Sequence, residues 1–218
     1  MRTFRTPWFF AFLCTLLVFG IYLGLNHFPR KASSPESSPE SPASRSYASP
    51  ETASHEALYS AALSVAAAVR EGDFAALAAW THKQKGVTFT AFSTVDPQND
   101  PVLSAKELAS LSEDLVHLWG VDPVGGIPIR LTTPEFFATY LQIRDFTTAP
   151  SVGFNLVQKK GHTTENVLTA YPEAQVVDLY FPCAEGIGLT WASLKLAFED
   201  EGGQLQLVGI VRSVYTEQ

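Results

Sequence analysis

Residues 191–215 read WASLKLAFEDEGGQLQLVGIVRSVY, and this stretch decides the fold. Its first half alternates apolar and polar residues, which is the pattern of a β-strand with one face against a core. Gly202 and Gly203 then supply the positive φ angles that a tight turn needs, and a second alternating run follows. The stretch therefore predicts a long β-hairpin.

The two faces of this hairpin are predicted to differ. Centring the turn on the glycines pairs Phe198 with Leu207 and Leu194 with Val211, all of them apolar. Because an unpaired buried charge costs several kcal/mol, only the apolar face is expected to meet a helix layer. The opposite face, expected in solvent, carries Lys195, Glu199 and Gln206.

Both helices and strands are predicted before the hairpin. One helix is predicted to begin near Ser54, a second covers residues 74–80 after the Gly72-Asp73 cap, and a third follows the capping box of Ser104 and Glu107. A fourth is predicted from a cap at Thr133 to about Ile143. Strands are predicted at residues 87–94, 116–120, 152–157, 166–170 and 175–181.

Helices first and strands last predict an α+β domain, with helices packed on the concave face of a curved antiparallel sheet. The strands over residues 175–181, 191–199 and 204–215 are expected to be adjacent and antiparallel. The predicted core is Leu58, Val65, Leu77, Phe89, Phe137, Leu194, Leu196, Phe198, Leu207 and Val211.

The N-terminal segment predicts a membrane anchor. Arg2 and Arg5 precede an uncharged apolar run over residues 7–25, long enough for a helix to cross a hydrocarbon core of ~30 Å. A cleaved signal peptide is the alternative, but such peptides have shorter apolar regions and end in a small-x-small site, which this run lacks. We predict a cytoplasmic tail over residues 1–6 and a transmembrane anchor over residues 7–28.

A Ser/Pro-rich linker follows over residues 29–54 and includes the near-repeat SSPESSPE. Such a segment cannot bury enough apolar area to offset chain entropy, so it is predicted to be disordered. The folded domain is assigned to residues 55–218. The predicted location is the cell membrane, single-pass, with this domain extracytoplasmic and the bilayer contacted through residues 7–28.

Charge and cysteine content exclude several classes of protein. Residues 55–218 hold nineteen acidic and ten basic side chains, which argues against a nucleic-acid partner. The two cysteines, Cys14 and Cys183, lie in different segments and form neither a disulfide framework nor a zinc-binding pair. Phosphate-binding loops, HExxH and nucleophile elbows are also absent from the sequence, so no cofactor or metal is predicted.

Several polar and aromatic residues are candidates for ligand binding, and none is assigned as catalytic. Each has an ordinary structural alternative: a helix-end histidine bonds backbone groups, an aspartate caps a turn, and a tryptophan packs in the core. No catalytic triad can be assembled from them. The candidates are His82, His117, Trp119, Asp145, Trp191, Arg212 and Tyr215.

Several short motifs follow one another along the chain, among them Gly72-Asp73-Phe74, Gly86-Val87, Trp119-Gly120, Asp145-Phe146, Val152-Gly153-Phe154, Tyr171-Pro172 and Leu207-Val208-Gly209. Their order resembles the nuclear transport factor 2-like superfamily, and within it a family of uncharacterised, membrane-anchored extracytoplasmic bacterial proteins. The resemblance implies a curved sheet wrapped round helices to form a cone, and it implies no activity. The loop after Trp119-Gly120 departs from the family pattern.

Two functions remain open on the sequence. The first is a membrane-tethered, non-enzymatic binding or assembly domain with a protein partner at the cell envelope. The second is an extracytoplasmic small-ligand-binding protein or enzyme that uses the cone cavity. Clustered ionisable groups inside the mouth of the cone would favour the second, whereas an apolar plug with a hydrophobic outer face of the sheet would favour the first.

Overall fold

The computed structural model describes residues 50–111, 115–122, 125–159, 164–183 and 191–215. All of these residues belong to one compact unit. The predicted cytoplasmic tail, the membrane anchor over residues 7–28 and most of the linker lie outside the described residues. Among the helices that are described, none is both long and apolar enough to span a bilayer.

Glycine and aspartate separate the first two helices as predicted. Gly72 takes a φ of 65°, and the Asp73 side chain accepts a hydrogen bond from the backbone N–H of Ala76 at 2.9 Å. The first helix begins at Pro50, before the cap expected near Ser54. The α-helices are α1 Pro50–Glu71, α2 Phe74–Trp80, α3 Ala105–Ala109, α4 Thr133–Phe136 and α5 Val167–Ala170.

Capping boxes start both central helices. Ser104 and Glu107 form the predicted box at α3, and the cap of α4 is Thr132, which pairs with Glu135. After α4 the chain continues as a π-helical turn over Phe137–Leu141, and Phe146–Thr148 form a short 3₁₀ helix. The strands are β1 Val87–Thr90, β2 Val102–Leu103, β3 Val116–Val121, β4 Pro128–Thr132, β5 Ser151–Phe154, β6 Gln175–Phe181, β7 Ala192–Asp200 and β8 Leu205–Val214.

The strand predicted at residues 166–170 is wrong, because this segment forms α5. The Asn166 side chain bonds both backbone groups of Val95, at 2.7 Å to the N–H and 2.9 Å to the carbonyl. Its own carbonyl accepts from the N–H of Ala170 at 2.8 Å. Since Asn166 satisfies a distant loop and starts a helical turn at once, the segment needs no strand partner.

The main sheet has six strands in the order β2-β1-β8-β7-β6-β5 and is mixed, which corrects the prediction of a wholly antiparallel sheet. β1 runs parallel to β8, with Thr88 opposite Gly209. The other described pairings are antiparallel, and β6, β7 and β8 are neighbours as predicted. The α+β class is therefore confirmed, with a parallel pair that joins the first strand to the last.

A β-bulge corrects half of the predicted hairpin register. Phe198 lies opposite Leu207 as expected, but Leu194 lies opposite Arg212 instead of Val211. The register shifts between Ala197 and Phe198. One extra residue in a strand turns every later side chain of that strand to the opposite face of the sheet. Arg212 therefore lies on the same face as Leu194.

We call the face that carries Leu194, Leu196 and Phe198 the inner face. It is covered by α1, α2 and the π-helical turn, in one continuous apolar core that includes Leu58 and Phe137. The ten residues predicted for the core are all buried. Nine of them belong to this cluster, whereas Val211 packs on the opposite side of the sheet.

The outer face, which carries Ser193, Lys195 and Ala197, is also covered, and this corrects the prediction of a solvent-exposed face. Lys195 is 0% exposed and Gln206 is 7% exposed, while Glu199 is partly buried. Apolar residues from α5 and the segments before and after it complete a second cluster. Its members include Val95, Val157, Val167, Ala170, Tyr171, Val176, Ala197, Val208 and Val211.

Lys195 is buried because polar partners surround its ammonium group. Its Nζ lies 2.9 Å from Oε2 of Glu165, whose side chain is only 2% exposed, and donates to Oγ of Ser213 at 2.6 Å. Asp178, opposite Lys195 on β6, accepts from Oγ of Ser193 and, at 2.9 Å, from the backbone N–H of Gln158. The ammonium charge of Lys195 is therefore paired. The free-energy cost of burying an unpaired charge, on which the prediction of an exposed face rested, does not apply.

Candidate functional site

The seven candidate residues do not converge on one site. Trp119 and Arg212 border the inner layer, whereas Trp191 and Tyr215 lie at the open end of the β7–β8 hairpin, joined by the Tyr215 N–H donating to the Trp191 carbonyl at 3.1 Å. His117 lies beside Trp119, with ring centroids 5.4 Å apart, whereas His82 and Asp145 lie in two other places. The arrangement supports no catalytic group built from these seven residues.

His82 organises a turn. Its Nδ1 accepts from the backbone N–H groups of Gln84 and Lys85, each at 3.2 Å, so the neutral ring carries its proton on Nε2. Nε2 points toward carboxylates, 3.9 Å from Oε2 of Glu199 and 4.0 Å from Oε2 of Glu201. Glu199 already forms an ion pair with Lys85 at 2.5 Å. The hydrogen bonds that His82 accepts therefore describe its role, which is to hold the turn beside β8.

Asp145 caps the 3₁₀ helix that follows the π-helical turn. It accepts from the Thr147 N–H at 3.1 Å and forms an ion pair with Arg70 at 3.2 Å. The hydrogen bond from the Thr147 side chain, together with the Arg70 guanidinium, lowers the pKa of Asp145. A carboxylate held ionised in this way is a poor acid and a weak base. Asp145 therefore has the structural role expected of an aspartate that caps a turn.

Aromatic side chains fill the inner layer between the helices and the β3–β4 hairpin. Trp119 is 0% exposed and stacks on Phe136 with ring centroids 3.9 Å apart, and its Nε1 donates to the Leu131 carbonyl at 2.8 Å. Phe136 stacks in turn on Tyr140 at 5.2 Å, and the His117 ring lies 5.4 Å from Trp119. This part of the interior is therefore filled by packed aromatic side chains.

Arg212 lies at the end of this aromatic row. Its Cζ lies 5.2 Å from the Tyr140 ring centroid, and its Nη1 donates to the Ala91 carbonyl at 3.1 Å. The buried Nε has no hydrogen-bond partner among the described residues. Burial lowers the pKa of Arg212 to about 10, and only the phenol of Tyr140 opposes that shift.

The β3–β4 hairpin presents an exposed apolar surface. Ile127 is 67% exposed and Leu118 is 41% exposed, although large aliphatic side chains favour burial. His117 and Trp119 alternate with the exposed residues of β3, and both are more buried than those exposed neighbours. We call the exposed set the apolar hairpin surface, and it consists of Leu115, Val116, Leu118, Val121 and Ile127.

The sequence interpretation missed both the apolar hairpin surface and the neighbours of Arg212. Alternation in VHLWGV was visible, but it does not say which face meets the core when both faces carry apolar residues. Tyr140 falls within the helix predicted from Thr133 to about Ile143, and nothing near it in the sequence marks it as a neighbour of Arg212. The cation–π geometry depends on the π-helical turn and on the bulge in β8, where Val208 is the extra residue, and neither has a local sequence signal.

Metal binding has no support within the part of the chain that the structure describes, where no group of three or more His, Cys, Asp or Glu residues is arranged to hold an ion. Comparison with known proteins adds no assignment, since no protein-family model, curated protein or solved structure matches the chain.

Proposed function

We propose that this chain is a membrane-tethered, extracytoplasmic docking or assembly domain that binds a protein partner at the cell envelope and carries out no chemistry. The observation that supports it most is the apolar hairpin surface, because aliphatic side chains grouped on one hairpin mark protein interaction sites. The aromatic filling behind that surface adds support, since it makes the hairpin a rigid platform.

The family proposal rests on the resemblance stated for the sequence. A mixed curved sheet with helices packed on its inner face is compatible with a nuclear transport factor 2-like cone. The β3–β4 hairpin forms a separate two-stranded sheet, and Trp119 of β3 stacks on Phe136 of α4. In the family proposal this hairpin therefore extends from the helical side of the cone, where a partner can reach it.

Site-specific photocrosslinking of the full chain in its native membrane tests the docking function. A benzophenone amino acid in place of Leu118 should give one discrete adduct, and the same group in place of Val116 on the same hairpin should reproduce it. In place of the exposed Gln204, in the β7–β8 turn of the other sheet, it should give none. Adducts of equal yield from Leu118 and Gln204, or none from either hairpin position, would contradict the proposal.

The membrane topology is tested separately. The short basic N-terminal segment and the Ser/Pro linker support an orientation with residues 1–6 inside and the folded domain outside. Protease added to intact spheroplasts should release a fragment that begins within residues 32–54. A domain that stays uncut until the cells are lysed would reverse the orientation.

A further inference from the structure

Three buried polar side chains meet on the outer face of the main sheet, and they come from three different parts of the chain. Lys195 lies on β7, Ser213 lies on β8, and Glu165 lies in the segment before α5. Lys195 is 0% exposed, Ser213 is 1% exposed, and the side chain of Glu165 is 2% exposed. The cluster is therefore closed off from bulk water.

The polar atoms of this cluster form a triangle. The Nζ of Lys195 lies 2.9 Å from Oε2 of Glu165 and donates to Oγ of Ser213 at 2.6 Å. The Ser213 hydroxyl donates in turn to the same Oε2 at 3.4 Å. The amine therefore reaches one carboxyl oxygen by two routes, directly and through a hydroxyl that accepts one proton while it gives up another.

Asp178 is the other carboxyl group of this buried layer, and its oxygens are engaged elsewhere. They accept from the Ser193 hydroxyl and, at 2.9 Å, from the backbone N–H of Gln158. Among the described ion pairs, Lys195 is joined to Glu165 and not to Asp178. Burial raises the pKa of Asp178, which favours its uncharged form. Glu165 is therefore the carboxyl group within reach of the amine.

An amine and a carboxyl group held together in a buried site have the conditions for condensing to an amide. Holding two groups in reacting geometry is equivalent to an effective concentration of up to about 10⁵–10⁸ M. Excluding water removes the hydration that stabilises the separate ions, and it also removes the reactant for hydrolysis of the product. An ion pair at the surface lacks the second of these advantages.

We propose that Lys195 and Glu165 become joined by an intramolecular amide bond, with the Ser213 hydroxyl relaying a proton as the bond forms. Nζ attacks Cδ of Glu165, so that a C–N bond forms and the bond between Cδ and Oε2 breaks. Nζ gives up two protons, one directly to Oε2 and one through Ser213, and Oε2 leaves as water. No oxidant, reductant or further reactant is needed, and the ion pair is the arrangement from which the amide forms.

This cross-link would fasten the segment before α5 to β7 by a covalent bond. It goes beyond the docking function and does not depend on it, because the cluster lies on the main sheet and the apolar hairpin surface lies on the other sheet.

Peptide mapping of the full chain, purified from its native membrane, denatured and digested with trypsin, tests the bond. Trypsin requires a free lysine, and Lys195 is the one internal cleavage site within residues 161–212. With the amide in place, residues 161–212 should appear as one peptide that is about 18 Da lighter than its sequence, through the loss of one water. Separate peptides 161–195 and 196–212, or a peptide 161–212 of full sequence mass, would overturn the proposal.

Lys85 is the matched control in the same digest. Its Nζ lies 2.5 Å from Oε2 of Glu199, closer than in the buried pair, but its side chain is 54% exposed. Trypsin should therefore cleave after Lys85, and no peptide should join Lys85 to Glu199. An amide at Lys85 as well would show that proximity or sample handling forms it without a closed site, and would overturn the proposal.

Two variants separate the covalent bond from the ion pair. Lys195→Arg keeps a cation beside Glu165, but a guanidinium that stays protonated is no nucleophile, so the peptide 161–195 should be released at full mass. Ser213→Ala removes the relay and should slow bond formation roughly a hundredfold in full chains sampled after cell-free synthesis, whereas Ser213→Thr, which keeps the hydroxyl, should recover most of the rate. The same loss of mass in Lys195→Arg would overturn the bond, and a wild-type rate in Ser213→Ala would overturn the relay.

Discussion

The two faces of the main sheet are both buried, but by different chemistry. The inner face packs aliphatic and aromatic side chains against α1, α2 and the π-helical turn. The outer face combines a small apolar cluster with a buried ion pair between Lys195 and Glu165 and a second carboxyl group at Asp178. Apolar packing tolerates alternative arrangements, whereas a buried charge requires its one partner.

This difference shows which part of the fold is specified by single contacts. On the inner face many residues share the burial, so that no single pair sets the position of the helices. On the outer face Glu165 brings the segment before α5 to one position over β7, because only there does Lys195 have a counter-ion. Substitutions on the two faces should therefore fail in different ways.

The largest effect is expected on the inner face from Leu196→Asp. Leu196 is 0% exposed in the continuous apolar core. The free-energy cost of burying an unpaired carboxylate there, added to the cost of the lost leucine packing, exceeds the ~5–15 kcal/mol stability of a typical domain. Circular dichroism of the full chain should show no cooperative unfolding transition. Leu168→Asp is the control, because Leu168 is 40% exposed, and it should keep the wild-type transition.

The next largest effect is expected on the outer face from Lys195→Met. Removing the ammonium leaves Glu165 buried without its partner, and breaking such pairs costs about 3–5 kcal/mol. Urea unfolding of the full chain measures the loss, with exposed Lys83→Met as the matched control. Adding Glu165→Gln to Lys195→Met should recover part of the stability.

A Lys195→Met variant within about 0.5 kcal/mol of wild type would show that the outer face is open to water and the comparison between the faces is mistaken. A double variant as unstable as the single one would mean that packing of the Lys195 stem, and not its charge, holds the outer layer.

A smaller effect is expected where the outer layer approaches the sheet most closely. The Tyr171 ring lies against Gly209 of β8, and a Cβ added there would meet its Cζ at 2.5 Å. Gly209→Ala should therefore cost about 1–3 kcal/mol through overpacking, measured by urea unfolding. Tyr171→Ala in the same chain should relieve the strain. Gly125→Ala, whose nearest neighbour would be a side-chain carbon at 3.4 Å, is the control.

The smallest effect is a dependence on pH from Asp178. Burial raises the pKa of Asp178, and Glu165 adds to this, while Lys195 and the hydrogen bonds from Ser193 and Gln158 oppose it. The pKa of Asp178 is higher in the folded state than in the unfolded state. The contribution of its protonated carboxyl group to folding stability is therefore complete below about pH 4 and is lost as pH rises through the folded-state pKa.

Asp178→Asn keeps the shape and removes this titration. Its thermal unfolding midpoint relative to wild type should therefore rise as pH increases from about 4 to 8. Exposed Glu56→Gln should show no such trend. A difference between Asp178→Asn and wild type that is constant across this range would mean that the carboxyl group is ionised throughout.

The parts of the fold that the sequence predicts well are those with local causes. Gly72 and Asp73 end one helix and start the next, Ser104 and Glu107 close a capping box, and glycines turn the long hairpin. Strand β6 has the predicted bounds because it alternates and lies between turn residues. These signals are contained within a few residues and need no distant partner.

The parts that could not be predicted depend on partners distant in the sequence or on the single extra residue of a β-bulge. Lys195 is buried because Glu165 lies over it, and nothing near Lys195 in the sequence shows this. Val211 and Arg212 exchange faces because of the bulge beside Ala197. For the candidate site, Arg212 was identified by residue type alone, and its contacts with the Tyr140 ring and the Ala91 carbonyl became visible only in the structure.

The parallel pairing of β1 with β8 has a consequence for how the chain is made. Thr88 lies opposite Gly209, so the first strand gains one of its two neighbours only after the last strand has been synthesised. Pairing across such a long stretch of chain is slow to form, and the unfinished edge of β1 is exposed to other chains meanwhile. A ribosome-bound chain that ends before β8 should therefore remain protease-sensitive over its whole length, and the domain should acquire resistance in a single late step.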